Sequence, residues 1–273
     1  MPRQRDGKVS DLSKVSVLVK TFLRDGYLSD CVYDLRTHFP ESKIAVIDDG
    51  HRTPVKDTLY QQLRDGGHVA EYMPFDSGFS AKSDFAIQYY TTPYVLIGSD
   101  DFNFAAPGVR AGVEKLVNVL DENPALGVAS GRVNDVPYEG FLEAYAPGKV
   151  RERRISYATV EHTSIGVQYY YCDLTVNYSL LRVSMLRSGV SWGNHDIKIG
   201  GGEHAAFFLA VKARGWLVAY VPGVSISEYP YNPSKVDPSY GAMRGRARTP
   251  GRPALLRAGV THYCLFDGTV EAS

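Results

Sequence analysis

The run Tyr94-Val95-Leu96-Ile97-Gly98-Ser99-Asp100-Asp101-Phe102 joins a short apolar segment to two adjacent carboxylates. A run of this kind, stopped by glycine and a polar cluster, reads as a buried strand. Its C-terminal end then carries the carboxylates. That is where ligands bind in open α/β sheets. Oxygen ligands placed there suit a hard divalent cation, which also grips phosphates. A solvated loop or a helix-capping Asp is the competing reading.

Neighbouring segments follow the same plan. Residues 15–19, 43–47, 68–72 and 126–129 are short and apolar, so each predicts a strand. Leu28, Cys31, Val32, Leu35 and Phe39 recur at helical spacing, and Pro40 ends that helix. Residues 55–64, 81–90 and 109–120 predict further helices. Strands alternating with helices of about ten residues imply βαβ units and a mostly parallel sheet. The polar clusters at 21–24, 48–52 and 99–101 all fall at strand ends, which describes one crevice. The second half differs. Residues 155–181 are rich in Tyr, Val and Thr and predict two or three antiparallel β segments. A helix near 181–187, a polar glycine-rich stretch at 191–202, a helix at 203–214 and a strand at 216–221 follow. No repeat or long linker is visible. The expected organisation is one domain over residues 10–232 with a basic C-terminal extension over 233–273.

Composition narrows the function classes. At 44% hydrophobic and 22% charged over 273 residues, the chain can bury a full core, which excludes general disorder. Lys plus Arg and Asp plus Glu both total 30, which excludes a wholly basic nucleic-acid binder but not a local patch. Arg244, Arg246, Arg248, Arg252 and Arg257 share one acid-free stretch interleaved with glycine and proline, which reads as a basic loop. Cys31, Cys172 and Cys264 form no CxxC motif, and so sparse a set suits a reducing compartment. The N-terminal residues show no apolar signal-peptide core, and no run nears the ~18 apolar residues that span a bilayer. A cytoplasmic protein is expected, in a host cytoplasm if the chain is viral. The dinucleotide fingerprint, the P-loop, H-E-x-x-H and G-x-S-x-G are all absent. Nicotinamide enzymes, P-loop kinases, zincin proteases and common hydrolases lose weight accordingly.

Several further pieces stand in order along the chain. They are residues 19–24 (VKTFLR), 47–50 (IDDG), 72–75 (YMPF) with 78–82 (GFSAK), 99–102 (SDDF), 173–177 (DLTVN) and 201–204 (GGEH) with Phe207 and Phe208. Taken together they resemble GT-A-fold glycosyltransferases of the family-2 type and are similar to the β-1,4-N-acetylgalactosaminyltransferases. The resemblance covers residues 15 to about 228. It implies an α/β fold of GT-A (Rossmann-like) type, with a mostly parallel sheet, flanking helices and a small antiparallel β segment in the second half. It also implies metal-dependent, inverting transfer of a sugar from a nucleotide sugar, most readily a UDP-sugar, with Mn²⁺ or Mg²⁺ as cofactor.

By the same resemblance, Thr21 and Arg24 line the base and ribose, Asp49 contacts the base and Lys82 lies near the diphosphate. Asp101 takes the metal role of the family's D-x-D motif and Asp100 supports it. Ser99 departs from that motif, because its first Asp is missing; a hydroxyl there can bond ribose but carries no charge. Glu203 opens a helix after flexible glycines and fits the general base, ionised at a helix N-terminus. Asp196 is the second candidate for that role. His204 orients the acceptor or the metal, or is a structural histidine. Where relatives often complete the metal site with His, this chain offers Glu228.

The acceptor is open between a soluble or membrane-surface glycan and a polyanion, such as hydroxymethylated bases of phage DNA. Arg244, Arg246 and Arg248 would track a phosphate backbone in the second case. A solvated tail, or arginines that cover the donor diphosphate, is the plainer reading. Two other classes stay in view. A catalytically silent sugar- or nucleotide-binding module is favoured by Ser99. A nucleotidyltransferase would need a Gly-rich basic loop after the first strand, which residues 21–24 do not supply.

Overall fold

The computed structural model describes residues 11–134, 136, 138–155, 162–164, 166–198, 201–245 and 252–272. The first half is built from β1 (Val15–Thr21), α1 (Asp25–His38), β2 (Lys43–Asp48), α2 (Pro54–Asp65), β3 (Val69–Tyr72), α3 (Phe79–Ala86) and β4 (Tyr94–Ser99). Its strands are parallel in the order β3-β2-β1-β4. Local chemistry sets the helix ends. The Thr53 hydroxyl accepts from the Lys56 amide at 3.3 Å, and Pro54 occupies the first turn of α2. Phe39 leaves helical dihedrals at φ −132°, as the residue before a proline must.

Next come α4 (Val109–Glu122), β5 (Leu126–Val133), β6 (Gly140–Ala146), β7 (Lys149–Arg154), β8 (His162–Ser164), β9 (Val167–Cys172) and β10 (Ser179–Arg182). They are followed by α5 (Val183–Arg187), α6 (Glu203–Ala213), β11 (Leu217–Ile226), α7 (Tyr240–Arg244), α8 (Pro253–Arg257), β12 (His262–Cys264) and β13 (Val270–Ala272). The large sheet runs β3-β2-β1-β4-β10-β5-β11-β9-β8. β10 is antiparallel to both β4 and β5, whereas β5 and β11 are parallel. β9 runs antiparallel to β11, and β8 to β9.

Two apolar cores sandwich the sheet, as the two-residue period of a strand dictates. Val17 and Val19 of β1 enter one core, and Leu18 enters the other. α4 covers the first with Val109, Val113, Leu116, Val117 and Leu120, a stripe at helical spacing. α6 covers the second with Phe207, Phe208 and Val211. The predicted α/β plan with a mostly parallel sheet is the one observed.

A second, four-stranded sheet, β13-β12-β7-β6, stands apart from the first. Its β6–β7 and β12–β13 pairs are antiparallel, and β7–β12 is parallel. The small antiparallel β segment expected in the second half is present, but its strands lie outside residues 155–181: β7 carries one apolar residue, Val150, among five charged ones and does not read as a strand. The C-terminal stretch also differs from the expected basic loop: residues 240–244 and 253–257 are short helices, and of the strands beyond them β12 pairs with β7 and β13 with β12.

Candidate active site

The C-terminal ends of β1, β2 and β4 open into a crevice of about 290 Å³. It gathers Thr21 at the end of β1, Arg24 beyond it, Asp49 after β2, Lys82 of α3 and the Ser99 and Asp101 positions at β4. Glu203 at the start of α6, Glu228 after β11 and Arg244 of α7 complete the wall. Elements far apart in sequence thus converge where the polar strand ends were expected to meet.

Asp100 lies fully buried beneath the crevice. The Arg24 guanidinium forms ion pairs with Asp100 and Asp101, and its Nη2 donates to the Ser99 hydroxyl at 3.3 Å. Neither Asp100 oxygen, nor Oδ1 of Asp101, has a hydrogen bond among the described residues. Burial pushes the Asp100 carboxyl up to about 6, Arg24 opposes that rise and Asp101 adds to it. The shift has a definite sign. A carboxyl whose folded value exceeds its unfolded one contributes stability that is complete below about 3.8 and lost as pH rises through about 6. The ligand-free protein is therefore expected to gain stability from this group on acidification across that window. Thermal melts from pH 7 to 4 should show a shallower decline, or a larger gain, for the wild type than for Asp100→Asn. Parallel curves would contradict the burial assignment.

Asp49 and Lys82 are spent largely on each other. Lys82 Nζ donates to Asp49 Oδ1 at 2.5 Å and to the Thr21 carbonyl at 2.9 Å. Asp49 Oδ2 accepts from the Gly78 amide at 2.8 Å. The pair is buried and ties α3 to β1 and to the loop after β2. Sequence reasoning misses two cations of this wall, Lys20 and Lys198; Lys20 is the buried one, 7% exposed. Its signal was present: a lysine near the end of an otherwise apolar strand, Val15-Ser16-Val17-Leu18-Val19-Lys20-Thr21.

Glu203 opens α6 behind Gly202, whose φ of +81° suits glycine. A Cβ at Gly202 would also approach Leu255 of α8 to 3.0 Å. Gly202→Ala is expected to cost about 1–2 kcal/mol from the left-handed backbone alone. Chemical denaturation would read that loss. Oε2 of Glu203 is buried with no hydrogen-bond partner among the described residues. Glu203 also borders a second hollow of about 300 Å³, lined by Phe79, Tyr138, Val176, Asn177 and His204. His204 pairs its Nε2 with the Thr175 carbonyl at 2.5 Å. Burial holds the His204 pKa below its usual value, so the neutral ring donates there.

Asp196 is not brought to the crevice. Its side chain is 66% exposed, and Arg257 holds its two oxygens at 2.7 and 2.6 Å. Those hydrogen bonds take its pKa down to about 2, which makes it a poor proton acceptor. The same contact uses one arginine of the basic stretch. Arg244 faces the crevice, while Arg246 and Arg248 lie outside the described residues. Glu228 Oε2 accepts from Asn134 Nδ2 at 2.8 Å. The Tyr229 amide donates to the Asp101 carbonyl at 2.7 Å, which brings the chain after β11 beside the carboxylate pair.

No group of three or more His, Cys, Asp or Glu among the described residues is close enough to cage a metal. Asp100 Oδ2 and Asp101 Oδ1, which no hydrogen bond among the described residues satisfies, nevertheless fit a hard cation of the Mg²⁺ type. Such ions use one or two carboxylates, keep waters and take substrate phosphates.

A doubly covered, mostly parallel sheet with this crevice at its strand ends is the GT-A fold, and the chain is similar to glycosyltransferases of the family-2 type. No protein-family model matches the chain. It is similar to human β-1,4 N-acetylgalactosaminyltransferase 1, at 30% identity over 209 residues, 71% of this chain and 35% of the relative. It is also similar to mouse β-1,4 N-acetylgalactosaminyltransferase 2, at 31% identity over 237 residues, 84% of this chain and 42% of the relative. The chain thus spans less than half the length of these relatives. A crystal structure of GalNAc-T7 with UDP, GalNAc and Mn²⁺ shares the fold at a TM-score of 0.55 and 12% identity, covering 78% of this chain and 43% of that one.

Proposed function

We propose that the chain transfers a sugar from a nucleotide sugar, a UDP-sugar, to an acceptor hydroxyl with inversion at the anomeric carbon. The observation that carries this reading is the place of Glu203. Glu203 lines both the crevice and the second hollow, and its Oε2 has no hydrogen-bond partner among the described residues. The donor lies in the crevice, with its nucleotide toward Thr21, and the acceptor lies in the second hollow. Glu203 takes the proton of the acceptor hydroxyl as that oxygen attacks the anomeric carbon. The bond to the diphosphate breaks, and the nucleoside diphosphate leaves with the electron pair. One displacement of this kind inverts the centre.

Asp101, with Asp100 and Glu228 in support, would hold Mn²⁺ or Mg²⁺, which supplies positive charge to the leaving diphosphate. Mn²⁺ in the GalNAc-T7 structure supports that choice. The Tyr138 and Phe79 rings beside Glu203 suit the apolar face of a sugar ring, so a glycan is our preferred acceptor. In this reading residues 10–232 form the transferase unit. The 233–273 extension closes the donor side, with Tyr240, Met243 and Arg244 lining the crevice. Cys31, Cys172 and Cys264 are unpaired, which supports a cytoplasmic setting. No helix among the described residues is long and apolar enough to cross a membrane.

The test is to incubate the protein with UDP-sugars and a panel of glycans, follow UDP release and read the product's anomeric configuration by NMR. An inverted product is expected. A retained configuration, or no UDP release from any UDP-sugar, would overturn the proposal.

A further inference from the structure

The crevice holds two buried lysines in different electrostatic states. Lys82 has two of its three N–H donors committed, one of them to the Asp49 carboxylate. Lys20 Nζ has neither a hydrogen bond nor an ion pair among the described residues, and lies 3.9 Å from the centre of the Phe79 ring. Its register partner across β1 and β4 is Ser99, a hydroxyl that carries no charge. Asp100 is the carboxylate nearest in effect, and Arg24 already pairs with it. Burial and the neighbouring Lys82 hold the Lys20 pKa well below its usual value. A buried ammonium without an anionic partner is costly, so such a group marks a place that an anion completes.

We infer that Lys20 is the side chain that binds the diphosphate of the donor, the role for which Lys82 is already neutralised by Asp49. The inference rests on the reading above, that the crevice takes a nucleoside diphosphate sugar. Lys20 then acts on the leaving group, and Lys82 positions the β1 end and α3 around it. The missing first acid at Ser99 follows as a consequence: it leaves the cation free for phosphate.

The test is calorimetric binding of inorganic pyrophosphate, UDP and uridine, in EDTA, to the wild type, Lys20→Met and Lys20→Arg. Lys20→Met is expected to weaken pyrophosphate and UDP by ~10–100-fold, the worth of a charge-assisted contact, and to leave uridine unchanged. Lys20→Arg should recover part of the loss. A structural role would instead weaken all three ligands alike, and that result overturns the assignment. So does pyrophosphate binding equal to wild type in Lys20→Met, or no pyrophosphate binding by the wild type. Should Lys20→Met not fold, Lys20→Gln carries the same comparison. If pyrophosphate binding depends on Lys20 but neither UDP nor uridine binds, even after Mn²⁺ is restored, Lys20 keeps its role and the UDP reading fails.

Discussion

Glu203→Gln lowers turnover by roughly two to four orders of magnitude, the usual worth of a general base, while donor affinity holds. Glutamine keeps the shape of the side chain and its reach into both hollows, but it cannot take a proton from the acceptor. The effect therefore falls on the chemical step. Donor affinity measured by calorimetry beside turnover separates the two quantities. Unchanged turnover would place the base elsewhere. The Asp196–Arg257 pair gives that alternative little support, since Asp196 is exposed and held near a pKa of about 2. Asp196→Asn should accordingly leave turnover within about twofold, as expected of an exposed surface substitution.

The second large effect is expected at Asp101. Asp101→Ala should reduce transfer by ~10³-fold, because a cation on transferring phosphate contributes several kcal/mol of charge stabilisation. Excess EDTA should do the same to the wild type until Mn²⁺ or Mg²⁺ is restored. In the structure the Arg24 guanidinium sits against both Asp100 and Asp101, so a metal has to share these carboxylates with it or displace it. Full activity after exhaustive dialysis against EDTA would remove the metal from the mechanism and leave the role of Glu203 intact. In that case Arg24, Lys20, Lys198 and Arg244 would be the cations of the crevice available to the diphosphate.

Much of the fold was legible because its signals are local. The apolar run of β4 ends in Asp100 and Asp101, and no distant residue is needed to see a strand delivering carboxylates to one edge. The same holds for α1 ending before Pro40 and for α6 opening behind Gly202. A small antiparallel segment in the second half was expected, but the residues that form it were not legible. Its β7 reads as a charged stretch, and the strand that covers it, β12, begins at His262, with Lys149 of β7 as its partner.

The candidate site divides in the same way. Strand-end position pointed to the Asp100–Asp101 pair, the resemblance to glycosyltransferases nominated Thr21 and Arg24, and resemblance with the helix start nominated Glu203; Thr21, Arg24, Asp101 and Glu203 all line one crevice. Which charges are free there was decided by pairs formed across the fold. Arg24 meets Asp101 77 residues away, Lys82 meets Asp49 across 33, and Arg257 takes Asp196 across 61. Periodicity and turn chemistry act between near neighbours in sequence, so they can be read in one dimension. Charge neutralisation and burial depend on through-space distance and solvent exclusion. That is why the sequence could set a lysine at position 20 and another at 82, and only the packed chain could leave the first without a carboxylate and bind the second to one.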